Sequence, residues 1–365
     1  MNSEKGDAPA LRGRVSRPFA AVDAAHTVVK AAEQLGYDLS DPEAFLQRAQ
    51  LVEYGLTAEV EFAAVLRWLG WCPLVHRLGE DVLYDKDVCA WEVPDLFAVF
   101  AIGSVTLGTV IEVKTTKANT LSFKKDYLAK LRAYADLVNK PLLIAWKPRR
   151  IGFWVLFDPS CAASVNAEKV QVDFETAVKH DLMSILAGDF YLVPAKGAGL
   201  RFEAKRTGEK KPTEDGYEAI FQIDAAFVHD ASGRKVDDVP QSLFWAMMSV
   251  AEARDEVKDD SWVQSFLASG SMTRAQLVLR TAAGYSLKDD ERIHWRSLGK
   301  NFDLLLRSDT LLKEAQANFG PFISYVIYLH PHQVPGFVPT DWPGLRMPRG
   351  DLEKNSETQV GTKST

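Results

Sequence analysis

The sequence predicts an α/β protein in which a mixed sheet is flanked by helices and followed by a mainly helical C-terminal region. The sheet is predicted by VPDLFAVF (93–100) and GTVIEVKTT (108–116), two short runs rich in β-branched and aromatic residues. Gly and Ser separate these runs, which is the pattern of adjacent strands. A helix-like run follows, and the apolar runs PLLIAW and GFWVLF then supply two further strands. The helical region is predicted by runs such as SWVQSFLASG and TRAQLVLRTAAGY.

Acidic and basic side chains occur together in the first two strands. Side chains alternate along a strand, so Glu112 and Lys114 share one face while Ile111 and Val113 share the other. If the strand that begins near Asp95 pairs beside this one, its carboxylate meets that of Glu112. Two carboxylates and an ammonium group at one sheet edge suit a hard cation such as Mg²⁺, which supplies a hydroxide and stabilises a phosphoryl oxygen.

The same residues resemble a known superfamily. Pro94-Asp95 followed by Glu112-Val113-Lys114 resembles the PD-(D/E)xK nucleases, the fold of many restriction enzymes and Holliday-junction resolvases. Glu59, at the start of an apolar helix, is similar to the resolvase glutamate that completes the metal site. The resemblance covers about residues 50 to 158.

A second motif of the superfamily is present in part. Lys130-Leu-Arg-Ala-Tyr134 lies where exonuclease-like members carry Gln-x-x-x-Tyr, with Lys in place of Gln. The role of Lys130 is therefore open, and Tyr134 is a candidate accessory residue.

The resemblance implies a restriction-endonuclease-like sheet and a Mg²⁺- or Mn²⁺-dependent deoxyribonuclease, with endonuclease favoured over exonuclease. Asp95, Glu112 and the carbonyl of Val113 are the implied metal ligands, and Glu59 is a ligand directly or through water. Lys114 is expected to hold the attacking water. The alternative is a catalytically silent nucleic-acid-binding or assembly subunit, although such a subunit has no need of this charged set.

A rival set lies further along the chain. Glu203 and Lys205 form another Glu-x-Lys, Asp189 opens a strand-like run, and Glu175 is on a predicted helix before both. The first set is favoured because apolar strands follow it, whereas the rival runs directly into the charged segment RTGEKKPTEDG.

The choice of helix glutamate also has an alternative. The segment 56–71 is apolar on almost every side, so a carboxylate there is costly unless it is paired or bound to metal. Periodicity does not choose between Glu59 and Glu61. The resemblance favours Glu59, and Glu61 is expected at an exposed helix position.

Charge is unevenly distributed along the chain. The formal net charge is −6 over 365 residues, yet basic residues outnumber acidic ones between Glu112 and Arg150. Such a cluster provides salt-dependent, sequence-independent affinity for phosphates. The residues predicted to contact DNA are Lys117, Lys124, Lys125, Lys130 and Arg132.

Five regions are predicted along the chain. They are a flexible arm (1–17), the nuclease domain with N-terminal helices (18–206), a linker (207–216), the mainly helical region (217–345) and a disordered tail (346–365). A weak helix-turn-helix pattern would place Arg274 and Arg280 near DNA, but a helical packing or oligomerisation module is favoured.

The cellular setting is predicted from what the sequence lacks. No apolar run is long enough to span a bilayer and no signal-peptide core is present, so a soluble cytoplasmic protein without a membrane partner is expected. Cys72, Cys89 and Cys161 are expected to be reduced thiols. The expected partners are DNA and either a second copy of the chain or the other subunits of a larger defence or repair complex. Restriction and anti-phage defence are slightly favoured over DNA processing.

Overall fold

The structure is a computed structural model that describes most of the chain beyond residue 57. The described ranges are 58–78, 90–209, 211–213, 216–218, 220–258, 260–285 and 308–347. All of them fall within one structural unit, Thr57–Thr365. The predicted N-terminal arm, the helices expected before residue 57 and residues 348–365 of the predicted tail lie outside the described residues.

The first part of the described chain alternates strands with helices. Its elements are α1 (58–69), β1 (Leu74–Arg77), β2 (Leu96–Ile102), β3 (Val105–Thr116), β4 (Thr120–Lys124), α2 (Lys125–Leu137), β5 (Leu142–Pro148), β6 (Val155–Phe157), β7 (Ala163–Ser164), β8 (Lys169–Asp173) and α3 (Phe174–Lys179).

The second part contains more strands than helices. Its elements are β9 (Tyr191–Pro194), β10 (Gly199–Arg206), β11 (Lys211–Thr213), β12 (Gly216–Glu218), β13 (Phe221–His229), β14 (Lys235–Val236), α4 (Gln241–Met248), β15 (Ala251–Val257), β16 (Ser261–Ala268), β17 (Thr273–Arg274), α5 (Ala275–Tyr285), α6 (Ser308–Ala317) and β18 (Ile323–Ile327).

The main sheet has the order β1-β2-β3-β5-β6. Strands β3 and β5 are parallel, and the other neighbours are antiparallel. A parallel pair needs a crossover, and α2 supplies it. The predicted α/β class and mixed sheet are confirmed.

Helices cover both faces of this sheet. On one face, Phe62 and Leu66 of α1 belong to the same buried core as Ile111 of β3. On the other face, Leu131 of α2 packs in a second core with Ile144 of β5. Neighbouring residues of β3 therefore point alternately toward α1 and toward α2, and the face toward α2 is also the face of Glu112.

The second sheet has the order β14-β13-β10-β16-β15 and is antiparallel throughout. Its central strand is β10, which lies within the predicted nuclease domain. Both strands beside β10 come from beyond the predicted linker. The boundary predicted at 207–216 therefore does not separate two units in the described chain, because strand pairing joins its two sides.

The prediction of a mainly helical C-terminal region is wrong for residues 251–268. These residues form the hairpin of β15 and β16, closed by backbone hydrogen bonds between Lys258 and Ser261. The helix-forming residues of AEARDEV suggested a helix, but pairing with the aromatic and β-branched β16 overrides that local preference. Helices α4, α5 and α6 do form in this region. No helix among the described residues is long and apolar enough to cross a membrane.

A buried polar network ties the C-terminal region to the main sheet. Arg274 of β17 is 1% exposed. Its Nε lies 2.7 Å from Oδ2 of Asp189, and its Nη2 lies 2.8 Å from Oδ2 of Asp181. The rings of Phe153 and Tyr191 lie 4.7 and 4.9 Å from the guanidinium carbon. The placement of Arg274 near DNA is therefore wrong, because the guanidinium is enclosed in the protein.

The adjoining residues extend this network to β6. Gln276 donates from Nε2 to the Trp154 carbonyl and accepts from the Trp154 amide, at 3.0 and 2.7 Å. The exposed Arg280 donates to the Gly152 carbonyl at 2.8 Å. Asp181 also accepts from the Leu156 amide at 2.9 Å. The edge of the main sheet is thus held by residues from far along the chain.

Replacement of Arg274 tests how much stability this network contributes. Arg274→Met leaves the buried carboxylates of Asp181 and Asp189 without their counter-charge, so we expect a loss of about 3–5 kcal/mol in the free energy of unfolding. Urea denaturation at pH 7 measures it. The control is Arg150→Met at an exposed position, with an expected change within about 0.5 kcal/mol. Equal stability of the two variants would contradict the role assigned to the network.

Candidate active site

The first site carboxylate lies where β2 begins. Asp95 directly precedes β2, and the pairing of Leu96 with Ile111 brings Asp95 beside Glu112. Pairing of β2 with β3 ends there, so the Val113 amide donates to Oδ2 of Asp95 at 2.6 Å instead of to a strand partner. The N–H and C=O of a strand residue point to the same side, so the carbonyl of Val113 also faces the end of β2.

The second carboxylate is held by two donors. Glu112 is 1% exposed, and its Oε1 accepts hydrogen bonds from Nζ of Lys114 and from the hydroxyl of Tyr127, the latter at 2.6 Å. The Lys114 Nζ also lies 5.6 Å from the centre of the Tyr127 ring. The expected sharing of one face by Glu112 and Lys114 is therefore realised as a direct ion pair.

Glu59 lies near these groups on α1. Its Oε2 is 2.7 Å from Nε of Arg77. This oxygen is buried, and it accepts no hydrogen bond from a described residue apart from that contact. The charges of Asp95 and Lys114 both act on Glu59.

The electrostatics show a cluster with excess negative charge. Burial, and then the charge of Glu112, raise the pKa of Asp95 to about 6. Burial and the charge of Asp95 raise the pKa of Glu59. Burial lowers the pKa of Lys114, but the charges of Glu112 and Asp95 outweigh it, so this pKa is raised. A nearby cation would relieve the repulsion among the carboxylates.

The donor chemistry fits a hard divalent cation. Asp95, Glu112 and Glu59 offer carboxylate oxygens, which such cations prefer, and the buried Oε2 of Glu59 contacts Arg77. Glu112 Oε1 is occupied by Lys114 and Tyr127, so Oε2 is the oxygen it can offer. Within the described ranges, no three His, Cys, Asp or Glu side chains are already arranged as metal ligands.

The expectation for Glu61 is wrong, because its side chain is buried and paired. It is 8% exposed, its Oε2 lies 2.5 Å from Nζ of Lys147, and its Oε1 accepts from the Trp154 indole at 3.2 Å. Lys147 aligns with Thr115, on the sheet face opposite Glu112. Glu61 therefore belongs to the packing of α1 on the sheet, where Lys147 balances its charge.

The rival set is not assembled in the structure. Asp189 is bound to Arg274 in the buried network, and Glu203 pairs with Arg201 at 3.0 Å. The other members form surface pairs, Lys205 with Asp224 and Glu175 with Lys179. These four residues therefore lie in separate interactions, whereas Asp95, Glu112 and Lys114 are in contact.

The tyrosine that reaches the site is Tyr127, which the sequence reasoning missed. Tyr134 packs in the core under α2, and no hydrogen bond joins it to Glu112. Tyr127 is in the first turn of α2, close to the end of β3, so its position directly after the Glu-x-Lys strand is the signal that could have found it. Burial, and then the charge of Glu112, raise the pKa of Tyr127, so its hydroxyl stays protonated as a donor.

The predicted DNA-contacting residues run from the end of β3 through β4 into α2. Lys117, Lys124 and Arg132 are exposed, and Lys125 and Lys130 are half-buried. Lys130 pairs with Asp126 at 3.2 Å. The surface is accessible, and contact with DNA stays a prediction.

No protein-family model matches the sequence, and no curated protein matches it. Among solved structures, the chain is similar to Hjc, a Holliday junction resolvase of the archaeal hyperthermophile Archaeoglobus fulgidus. The two are 20% identical, and the likeness covers 37% of this chain and 96% of the resolvase, with a TM-score of 0.29. A TM-score this low carries no argument about activity, so function must be argued from the site.

The raised pKa of Asp95 predicts a pH-dependent stability in EDTA. The folded-state pKa of about 6 lies above the ordinary value of 3.8 for an aspartate, so the folded protein holds this proton more tightly than the unfolded chain. Stability contributed by the protonated group is therefore lost as pH rises from about 4 to about 6. Urea denaturation of wild type and Asp95→Asn should give free energies of unfolding whose difference changes by on the order of 2 kcal/mol over this window. Parallel curves would refute the raised pKa.

Proposed function

We propose that the chain is a metal-dependent nuclease that hydrolyses DNA phosphodiester bonds, acting as an endonuclease. The observation that supports this proposal is the contact of Asp95, Glu112 and Lys114 beside the first residue of β2. Two carboxylates held together in a buried place cost stability unless a role compensates. Asp95 satisfies one backbone amide of β3, but Glu112 and Lys114 add further buried charge on the opposite sheet face from the pair of Glu61 and Lys147.

The proposed roles follow from the contacts. Asp95, Glu112 and the Val113 carbonyl would hold Mg²⁺ or Mn²⁺, with Glu59 directly or through water. Such a cation, when bound, lowers the pKa of water and stabilises charge on the phosphoryl group. Lys114, already an ammonium group beside Glu112, orients the attacking water and offsets the developing negative charge. Tyr127 donates to Glu112 and fixes which of its oxygens is free.

The substrate assignment rests on the basic surface beside the site. Lys117, Lys124, Lys125, Lys130 and Arg132 lie on the segment that leads away from Glu112 and Lys114, where they would bind the phosphates on either side of the cut. A cytoplasmic role in restriction or anti-phage defence, or in DNA processing, is compatible with this chemistry.

Cleavage assays test the proposed site directly. Plasmid, linear duplex, single-stranded and four-way-junction DNA are incubated with Mg²⁺, Mn²⁺ or EDTA. Asp95→Ala and Lys114→Ala are each expected to slow cleavage by at least about 100-fold, because several kcal/mol of transition-state stabilisation are lost. Cutting of closed circular plasmid identifies an endonuclease.

The matched control is Glu203→Ala, in the Glu-x-Lys that lies apart from the site, and it should cut at the wild-type rate. Loss of cutting in this control, or full activity of Asp95→Ala, would exclude the proposed site.

One observation favours a second candidate function, a catalytically silent subunit that binds nucleic acid. The Lys114 ammonium neutralises Glu112 directly, and the described residues contain no ready arrangement of three metal-ligating side chains. Wild-type protein that retains DNA on a gel but cuts none of the substrates with either cation would favour this candidate.

The hydrogen bond from Tyr127 predicts a specific kinetic effect. Tyr127→Phe keeps the ring but removes the hydroxyl from Glu112, so we expect about tenfold slower cleavage and a higher Mg²⁺ concentration for half-maximal rate. Tyr134→Phe, on the same helix without a hydrogen bond to Glu112, is the control. A Mg²⁺ titration that is identical for the two variants would show that Tyr127 does not position the carboxylate.

A further inference from the structure

The outer edge of the second sheet is a strand without a partner in the described chain. Strand β15 is the last in the order β14-β13-β10-β16-β15, and only β16 pairs with it. Residues 252–258 are all exposed. An open edge of this length presents backbone groups that can pair with another strand.

The hydrogen-bond pattern identifies which groups face outward. Lys258 and Ser261 exchange backbone hydrogen bonds at 2.8 and 3.4 Å, and the pairing of β15 with β16 continues in register from that pair. Hydrogen-bonded pairs alternate with non-bonded ones in an antiparallel ladder. The residues whose N–H and C=O point away from β16 are therefore Ala253, Asp255 and Val257.

The side chains of this edge alternate in charge on one face. Glu252, Arg254, Glu256 and Lys258 share that face, in the order minus, plus, minus, plus. None of the four forms an ion pair with a described residue, although all are exposed. An alternating pattern is complementary to itself when the strand is reversed.

The register that exploits this complementarity is centred on Asp255. In an antiparallel pair of two β15 strands, Arg254 then faces Glu256 of the second copy, and Glu252 faces Lys258 of the second copy. Moving the centre of the pair by one residue, which slips the two strands by two residues, sets Arg254 against Arg254 or Glu256 against Glu256. Like charges directly opposite are destabilising. The charges therefore select one register among its neighbours.

The other face of the strand is compatible with the same register. Ala253 faces Val257 of the second copy, and Val257 is an apolar side chain that is 69% exposed. In this register the Asp255 carboxylate lies opposite Asp255 of the second copy. It accepts a hydrogen bond from the Trp262 indole at 3.2 Å. That bond turns it toward β16 and away from the edge. The outward backbone groups of Ala253, Asp255 and Val257 meet one another in this register.

We propose that two copies of the chain pair through β15, antiparallel and centred on Asp255, to form a two-fold symmetric dimer with one continuous sheet. Charged residues on an edge strand usually prevent pairing. Here they alternate in sign, so they stabilise the register centred on Asp255 and destabilise the adjacent registers. The interface lies in the second sheet, and it does not depend on the proposed nuclease activity.

Charge reversal tests this interface on the full chain. Sedimentation equilibrium across a concentration series gives the dimer dissociation constant. Arg254→Glu and Glu256→Arg each replace two attractive contacts by repulsive ones, so each should raise the dissociation constant by at least about tenfold. The double variant restores the opposite charges and should recover dimerisation. A mixture of the two single variants should also dimerise, because each supplies the charge that the other needs.

The control is Asp238→Arg, which makes the same change of charge as Glu256→Arg at an exposed position beyond β14, at the opposite edge of the sheet. It should dimerise as wild type does, and circular dichroism should show that every variant is folded. Wild type that is monomeric throughout the series overturns the proposal. So does a dimer that persists in both single variants, or a mixture of the single variants that stays monomeric.

Discussion

The candidate active site depends on the different ways in which β3 pairs with its two neighbouring strands. It runs parallel to β5 along Val110–Thr116, but its antiparallel pairing with β2 ends at Ile111. Beyond that point one side of β3 lacks a strand partner, and Asp95 takes the free backbone amide of Val113. Because β2 begins only at Leu96, β3 has no partner strand beside Val113, and two carboxylates and a lysine meet in that space.

Buried charge is handled differently in three places around the main sheet. Glu61 is neutralised by Lys147, and Arg274 by two aspartates, so these groups stabilise packing once they are formed. Around Asp95 the carboxylates exceed the nearby cations, and burial together with the charge of Glu112 raises the pKa of Asp95. This imbalance of charge sets the cluster at Asp95 apart from the other two places, where the charges are balanced.

The sequence predicted the parts of the site that obey local rules. Strand alternation placed Glu112 and Lys114 on one face, and the turn between β2 and β3 brought Asp95 to them. Burial of Glu61 depends on Lys147, which lies 86 residues further along the chain. The position of Tyr127 depends on where α2 begins, and α2 begins directly after β4. The β15–β16 hairpin was missed because the strand state of β15 comes from its pairing with β16, while the residues of β15 individually favour a helix.

The buried network also restricts how this chain can be divided. A fragment that stops at Arg206 would keep Asp181 and Asp189 in the interior without Arg274, and would expose both sides of β10. The main sheet and the C-terminal strands are therefore one folding unit rather than interchangeable modules. A C-terminal part exchanged between proteins during evolution would have to supply an arginine that fits the two aspartates of the retained part.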